Sequence, residues 1–254
     1  MQSRIGIITA AKGEHDVKSI NEQFINRKDQ SSLNRFITEA KWNLQPVVNQ
    51  GRDLFLHESE LNTDLEHKII DDSVCKKYSG PTEMVCYNHS STMGTVLSHD
   101  YVTSLYVNNE LAVSDGLKLY GNEEKCKEKG VEFKTRLQLA MELIEEHTPK
   151  AKSSIWLWDS WYTCSEMAQE CRQHGYNWIG EIKSNRIVFY TGERFRLDEF
   201  YHWLCSEGAF FDVMVNGEFY LAAGVEVFMP KVGKVSIIIN VKADTRDVHF
   251  FALT

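Results

Sequence analysis

With 254 residues, 43% of them hydrophobic and 25% charged, the chain has the make-up of an ordinary globular protein with enough material for a real core. No apolar run approaches the roughly 20 residues that a membrane-spanning helix needs, so no membrane association is expected. The net charge of −8 argues mildly against a general nucleic-acid binder, although whole-chain charge says little about local patches.

At the start of the chain, Arg4 and Lys12 flank a weak apolar run, Ile5-Gly6-Ile7-Ile8. That run is too short for a secretory signal, and a cytoplasmic location is expected. Residues 14–60 read as helical. Ser31 and Ser32 open a segment that places Leu33, Phe36, Ile37 and Ala40 on one face. Pro46 begins a second amphipathic stretch through Val47, Val48, Leu54, Phe55 and Leu56. Small helices in this order suit either a DNA-contacting headpiece or helices packed beside a main domain.

From about residue 66 the pattern changes to strands. The first runs through His67-Lys68-Ile69-Ile70 and ends at Asp71-Asp72-Ser73; Tyr78-Ser79-Gly80-Pro81 is turn chemistry. Thr95 to Val107 and Leu111 to Tyr120 contain two more strands, with Asn108-Asn109 suited to the turn between them. Acids interrupt the basic group Lys125-Cys126-Lys127-Glu128-Lys129, which reads as a solvated loop. Thr135 to Thr148 is a helix with Leu137, Ala140, Met141 and Ile144 on one face and Pro149 just beyond it. A strand over Ser154 to Trp158 ends in Asp159. A helix over Ser165 to His174 stopped by Gly175 follows, then a strand over Trp178 to Ile182. This order predicts a mixed sheet, an antiparallel meander followed by a parallel crossover. After Lys183 the helices stop and only strands are read, at Ile187–Tyr190, Phe210–Val215, Phe219–Ala222, Val235–Val241 and Val248–Leu253. The expected organisation is a helical segment at 1–62, a core at 63–186 and a β-rich stretch at 187–254.

The chemistry rests on two aspartates. A short apolar strand ending abruptly in a carboxylate delivers an acid to a sheet edge. Two such strands can bring Asp71 and Asp159 together, and paired carboxylates hold a divalent metal for phosphoryl transfer. Asp71 and Asp72 are consecutive, so their side chains face opposite ways and only one can be a ligand. The structural alternatives are that Asp71 and Asp72 merely cap a strand end and that Asp159 is an N-cap of the following helix. Trp156, Trp158, Trp161 and Tyr162 read as core rather than as stacking platforms. Lys183 and Arg186 suit phosphate contacts or an exposed loop. The six cysteines include no Cys-x-x-Cys pair, and Cys164 and Cys171 read as small hydrophobes rather than zinc ligands. His89, His99 and His174 show no ligand spacing.

These residues resemble the DDE transposases of bacterial insertion sequences. Ile69-Ile70-Asp71-Asp72-Ser73, with Lys76 and Tyr78-Ser79-Gly80, is similar to the first acidic motif of a branch that carries Asp-Asp-Thr there. Phe133 to Ala140 resembles that branch's Thr-Lys segment opening a helix, and Trp158-Asp159-Ser160-Trp161-Tyr162 resembles its Asp-Ser-x-Tyr motif. Glu181 to Arg186 resembles the stretch after the next strand. The resemblance implies an α/β, ribonuclease-H-like mixed sheet with an N-terminal helical segment and a C-terminal β-rich insertion. It implies Asp71, in preference to Asp72, and Asp159 as catalytic metal ligands, Mg2+ or Mn2+ as the ion, and DNA, both element ends and target, as partner. It leaves room for a homodimer.

The chain departs from the family in its third acid. The Tyr-x-x-Arg-x-x-x-Glu helix does not occur between Asp159 and Thr254, and Glu207, Glu218 and Glu226 stand in loop or strand contexts. Together with the apolar end at Ala252-Leu253-Thr254, this gives the expectation of a truncated, inactive copy. One rival is a non-catalytic DNA-binding or dimerising remnant that inhibits intact transposase. Another is an aspartate-based phosphohydrolase using Asp71, which would require Asp-x-Asp where this chain has Asp71-Asp72-Ser73.

Overall fold

The computed structural model describes residues 17–22, 29–39, 41, 43–58, 64–77, 84–90, 92–108, 111–149 and 151–254. The weak apolar run near Ile7 and the Tyr78–Pro81 turn lie outside the described residues. The chain divides into two compact units, one within 1–61 together with Val113–Asp115, the other within 62–112 and 116–254.

The first unit contains α1 (Val17–Glu22), α2 (Gln30–Thr38) and α3 (Leu44–Glu58). The cap of α2 is Asp29, whose Oδ2 accepts from the Ser32 amide at 3.0 Å, rather than the serines themselves. A carboxylate there satisfies an otherwise orphaned amide. Leu33 is buried, whereas Phe36 on the same predicted face stays exposed. Pro46 is the third residue of α3 and not its first, still within the turn where a missing amide costs nothing.

The second unit is built on one large mixed sheet. Its strands are β1 (Leu65–Lys76), β2 (Cys86–Ser90), β3 (Gly94–Asn108), β4 (Leu111–Tyr120), β5 (Ser153–Trp158), β6 (Asn177–Glu181), β7 (Ile187–Tyr190), β8 (Glu193–Arg196), β9 (Phe211–Val215), β10 (Glu218–Met229), β11 (Gly233–Lys242) and β12 (Val248–Leu253). Among them lie α4 (Glu123–Lys129), α5 (Arg136–Glu145), α6 (Ser165–Gln173) and α7 (Leu197–Ser206). The strand order is β2-β3-β1-β5-β6-β12-β11-β10-β7-β8, with β4 on β3 and β9 on β10. β1 is antiparallel to β3 but parallel to β5, and β5 is parallel to β6. A mixed α/β sheet of this order is compatible with a ribonuclease-H-like fold. Among the described residues, no helix is long and apolar enough to cross a membrane.

The core forms on one face of the central strands. In β5 the buried positions are Ser154, Trp156 and Trp158, alternating with half-buried neighbours. Trp158 stacks on Trp178 of β6 with ring centroids 5.6 Å apart. Leu139, Ala140, Leu143 and Ile144 of α5 and Met167, Ala168 and Cys171 of α6 are buried in the same cluster. The stripe of α5 is thus centred on Leu139 to Ile144, with Leu137 and Met141 only partly buried at its edge. Lys68 is fully buried in this layer, its ammonium 5.3 Å from the Tyr106 ring and 5.4 Å from the Trp156 ring.

Four expectations about elements are corrected. β1 does not end at Asp71. Its pairing with β5 reaches Ile69↔Leu157, but its ladder with the long β3 continues to Lys76↔Ser98. β2 was not read from its polar sequence; it exists because β3 offers it a partner from Gly94 to Ser98. The basic group at Lys125 is not a loop but α4, capped by Asn122 and stopped by Gly130 at φ +65°, with Cys126 buried. Helices do not stop after Lys183, since α7 buries Leu197, Phe200 and Leu204. These stand at i, i+3 and i+7 behind Asp198 and Glu199, a helical signal submerged in a strand-rich stretch.

Candidate active site

Asp71 and Asp159 reach one place through the parallel pairing of β1 and β5. The ladder's last pair is Ile69↔Leu157; two residues further along the chain stand Asp71, still on β1, and Asp159, in the turn just after β5. Neighbouring strands lie about 4.8 Å apart, so the register brings the two residues to the same end of the sheet. Both lie beyond the carboxyl end of the parallel pairing, where open α/β sheets place their ligands.

The electrostatics agree with this placement. Asp71 holds its proton more tightly than an ordinary aspartate. Partial burial is the main cause and the Asp159 charge adds to it, while a hydrogen bond from the Asp72 amide opposes both. That amide donates to Oδ1 of Asp71 at 2.9 Å. Oδ1 of Asp159 accepts from the amides of Trp161, at 2.9 Å, and Tyr162, at 3.3 Å. Asp159 therefore caps the turn after β5 and not α6, whose N-cap is Cys164 with no side-chain cap bond.

Asp72 lies in a different environment. Its Oδ1 accepts from the Tyr162 hydroxyl at 3.2 Å, and its Oδ2 is 3.9 Å from Arg136 Nε. Arg136 is the first residue of α5; its Nε donates to the fully buried Asp100 at 2.9 Å, and its guanidinium lies 4.3 Å from the Tyr120 ring. Burial raises the proton affinity of Asp72, and Arg136 counteracts it. Tyr162 is buried and held far toward its neutral form, by burial first and then by Asp72, Asp159 and Asp71. One phenol thus senses all three acids.

Thr163 ties the turn to the sheet. Its Oγ1 donates to the Glu181 carbonyl at 2.6 Å and takes a bond from Trp158 Nε1 at 3.1 Å. Arg186 donates to the Thr163 carbonyl at 2.8 Å. Arg186 is therefore engaged by the fold, while Lys183 is exposed on the rim of a cleft of about 440 Å³. Ser160, Glu181, Ser184, Asn185 and Phe250 also line that cleft. Of the four aromatics, Trp156, Trp158 and Tyr162 are buried, but Trp161 is 49% exposed next to Asp159.

Two carboxylates at one sheet end, one with its proton affinity raised by burial and further by the other's charge, are a donor set that a hard divalent cation relieves. The residues present fit such an ion as far as two ligands go. Among the described residues, no group of three or more His, Cys, Asp or Glu side chains is gathered to hold a metal. Glu207 ends α7, Glu218 pairs with Lys242 at 3.0 Å, and Glu226 pairs with Lys234 at 2.9 Å. Sequence reasoning singled out Asp71 and Asp159, which the fold brings to one sheet end, but missed the Asp72–Tyr162 contact and the Arg136–Asp100 pair. Each bond joins residues far apart in the chain, for which no local pattern stands.

A family model described as DDE superfamily endonuclease matches residues 5–199, well over half of the chain. No curated protein matches the chain.

Proposed function

We propose, from the premise that the chain belongs to the DDE superfamily endonuclease family, that it is a transposase-like nuclease whose Asp71 and Asp159 are the metal-binding pair. The observation that carries the assignment is the β1–β5 register, which runs both carboxylates to the same sheet end, with the Asp159 charge acting on Asp71. The finer reading is a transposase of the insertion-sequence branch with an Asp-Asp-Thr first motif, acting on element ends and target DNA with Mg2+ or Mn2+. In this reading residues 1–62 form a helical segment, 63–186 the catalytic core and 187–254 a β-rich insertion. A cytoplasmic setting and a homodimer go with it.

A divalent ion at the pair supplies stabilisation of the attacking and leaving oxygens of a phosphodiester. The chain's own residues do the rest. Asp71 and Asp159 provide hard oxygen ligands. Lys183, on the rim of the cleft beside Ser160, meets backbone phosphate. Trp161, half exposed beside Asp159, offers an apolar face to a sugar or base.

A second reading is favoured by the lack, among the described residues, of a three-acid group. In it the protein binds DNA without cutting it and competes with an intact transposase. One experiment separates the two readings: purified protein, Mn2+, and DNA carrying the ends of the parent element. On the second reading, weak Mn2+ binding is expected, lost in Asp71→Ala and in Asp159→Ala, together with DNA binding and no specific nicking. Removing one stabilising group from such a site lowers the rate by roughly 10²–10³. Specific nicking that disappears in Asp159→Ala would instead establish a complete active site. Tight metal binding that survives both substitutions would overturn the assignment of both residues.

A further inference from the structure

We propose that Asp72 and Tyr162 form a brace that sets the geometry of Asp71 and Asp159. Both are positioning residues and neither is a ligand. This deepens the reading above and rests on it.

Four hydrogen bonds make the case. The Asp72 amide donates to Oδ1 of Asp71, and the Asp72 carboxylate accepts from the Tyr162 hydroxyl. The Tyr162 amide, with that of Trp161, donates to Oδ1 of Asp159. A continuous path therefore runs from one candidate ligand to the other: Asp71, Asp72, Tyr162, Asp159. It joins β1 to the turn after β5, elements separated by more than eighty residues of chain. In both acids the oxygen that accepts the backbone amide is Oδ1.

The physical need for a brace is plain. Two like charges at one sheet end repel, and the β1–β5 pairing that would hold them ends two residues earlier, at Ile69↔Leu157. Beyond that pair β1 is held by its ladder with β3, and Tyr162 supplies a side-chain tie from β1 to the turn after β5. Its ring is fully buried, and the turn that carries it is anchored by Thr163 to the Glu181 carbonyl and by Arg186 to the Thr163 carbonyl. Asp72 is unsuited to hold a cation, because the Arg136 guanidinium stands 3.9 Å from its Oδ2. The second aspartate of the pair thus receives a role of its own. Partners behind metal ligands typically set affinity by 10- to 100-fold.

The test is Mn2+ affinity of the full chain, read by electron paramagnetic resonance of free Mn2+, with thermal melts recorded in parallel. Tyr162→Phe, which keeps the ring and loses only the hydroxyl, is expected to weaken Mn2+ binding roughly 10- to 100-fold. Asp72→Ala should weaken it similarly, and the double variant should be no weaker than either single, because one path is cut once or twice. Asp72→Asn keeps an acceptor oxygen and should recover much of the affinity lost in Asp72→Ala. Wild-type affinity in Tyr162→Phe, with binding abolished in Asp71→Asn, overturns the brace and leaves the ligand assignment standing. Additive losses in the double variant overturn the brace as well. No Mn2+ binding by the wild type, or undiminished binding in Asp71→Asn, overturns the metal reading and the brace with it. Should Tyr162→Phe fail to fold, the Asp72→Ala and Asp72→Asn pair carries the same comparison.

Discussion

At the scale of single residues, Asp71 is held under electrostatic strain. Burial and the Asp159 charge raise its proton affinity in the folded protein above that of the unfolded chain. For a group shifted this way, the stabilising contribution is full below the unfolded pKa and is lost as pH rises through the folded one. At neutral pH the ionised Asp71 therefore costs stability. In metal-free buffer, Asp71→Asn is expected to raise the melting temperature at pH 7. The gain should shrink as pH falls through the aspartate range and vanish below it. Added Mn2+ should raise the melting temperature of the wild type but not of the variant, because only a state that binds the ion is stabilised by it. A lower melting temperature for Asp71→Asn at pH 7 would show that its charge is not strained. The pattern is that of a functional site kept at a cost in stability.

At the scale of elements, the site depends on how closely β6 approaches the turn after β5. Gly180 lies opposite Trp158 in the parallel ladder. A methyl group at this position would overlap Thr163 Oγ1 and Trp158 Nε1, the two atoms joined by the hydrogen bond that anchors the turn. Glycine is required here by that close approach and not by an unusual backbone angle. Gly180→Ala is expected to destabilise the protein by about 1–3 kcal/mol, the usual cost of overpacking. It should also weaken Mn2+ binding, because Tyr162 rides on the displaced turn. Urea unfolding and Mn2+ titration of the same sample check both effects. Unchanged stability would mean that the turn yields without cost. α5 also serves the site. Its capping box, Thr135 with Gln138, sets the start of the helix and so the place from which Arg136 reaches Asp100 and approaches Asp72.

At the scale of the whole molecule, a chain of net charge −8 that acts on DNA must do so through local cations. Lys183 is exposed on the rim of the cleft beside the candidate site, whereas Arg186 is tied to the Thr163 carbonyl. DNA binding is expected to weaken steeply with salt. Lys183→Ala should lower the slope of log affinity against log salt by about 1, the effect of losing one phosphate contact. Arg186→Ala should instead lower the melting temperature, since it releases the turn. An unchanged slope in Lys183→Ala would place the DNA elsewhere on the surface. Fluorescence anisotropy over a salt series, with melts of both variants, distinguishes these outcomes.

The features that could be read in the sequence are those written in neighbouring residues. The apolar runs Ile155-Trp156-Leu157-Trp158 and Val248 to Leu253 mark β5 and β12, the Thr135 cap marks α5, and Gly175 marks the end of α6. Asp71 and Asp159 stood out because a carboxylate directly after an apolar strand breaks its pattern. Where partners are distant, the local pattern is silent. Only the ladder with β3 carries β1 past Asp71 to Lys76, and only β3 makes a strand of Cys86–Ser90. The attachment of β12 to β6 through Phe251↔Glu181 joins residues seventy apart. Asp72 was legible as the acid facing away from Asp71, but that it receives the Tyr162 hydroxyl depends on bringing β1 and β5 together. The side-chain periods of 2 and 3.6 belong to the chain itself and show in its order. Register, strand order and the bonds between distant side chains depend on which elements meet, and that is decided only by folding the whole.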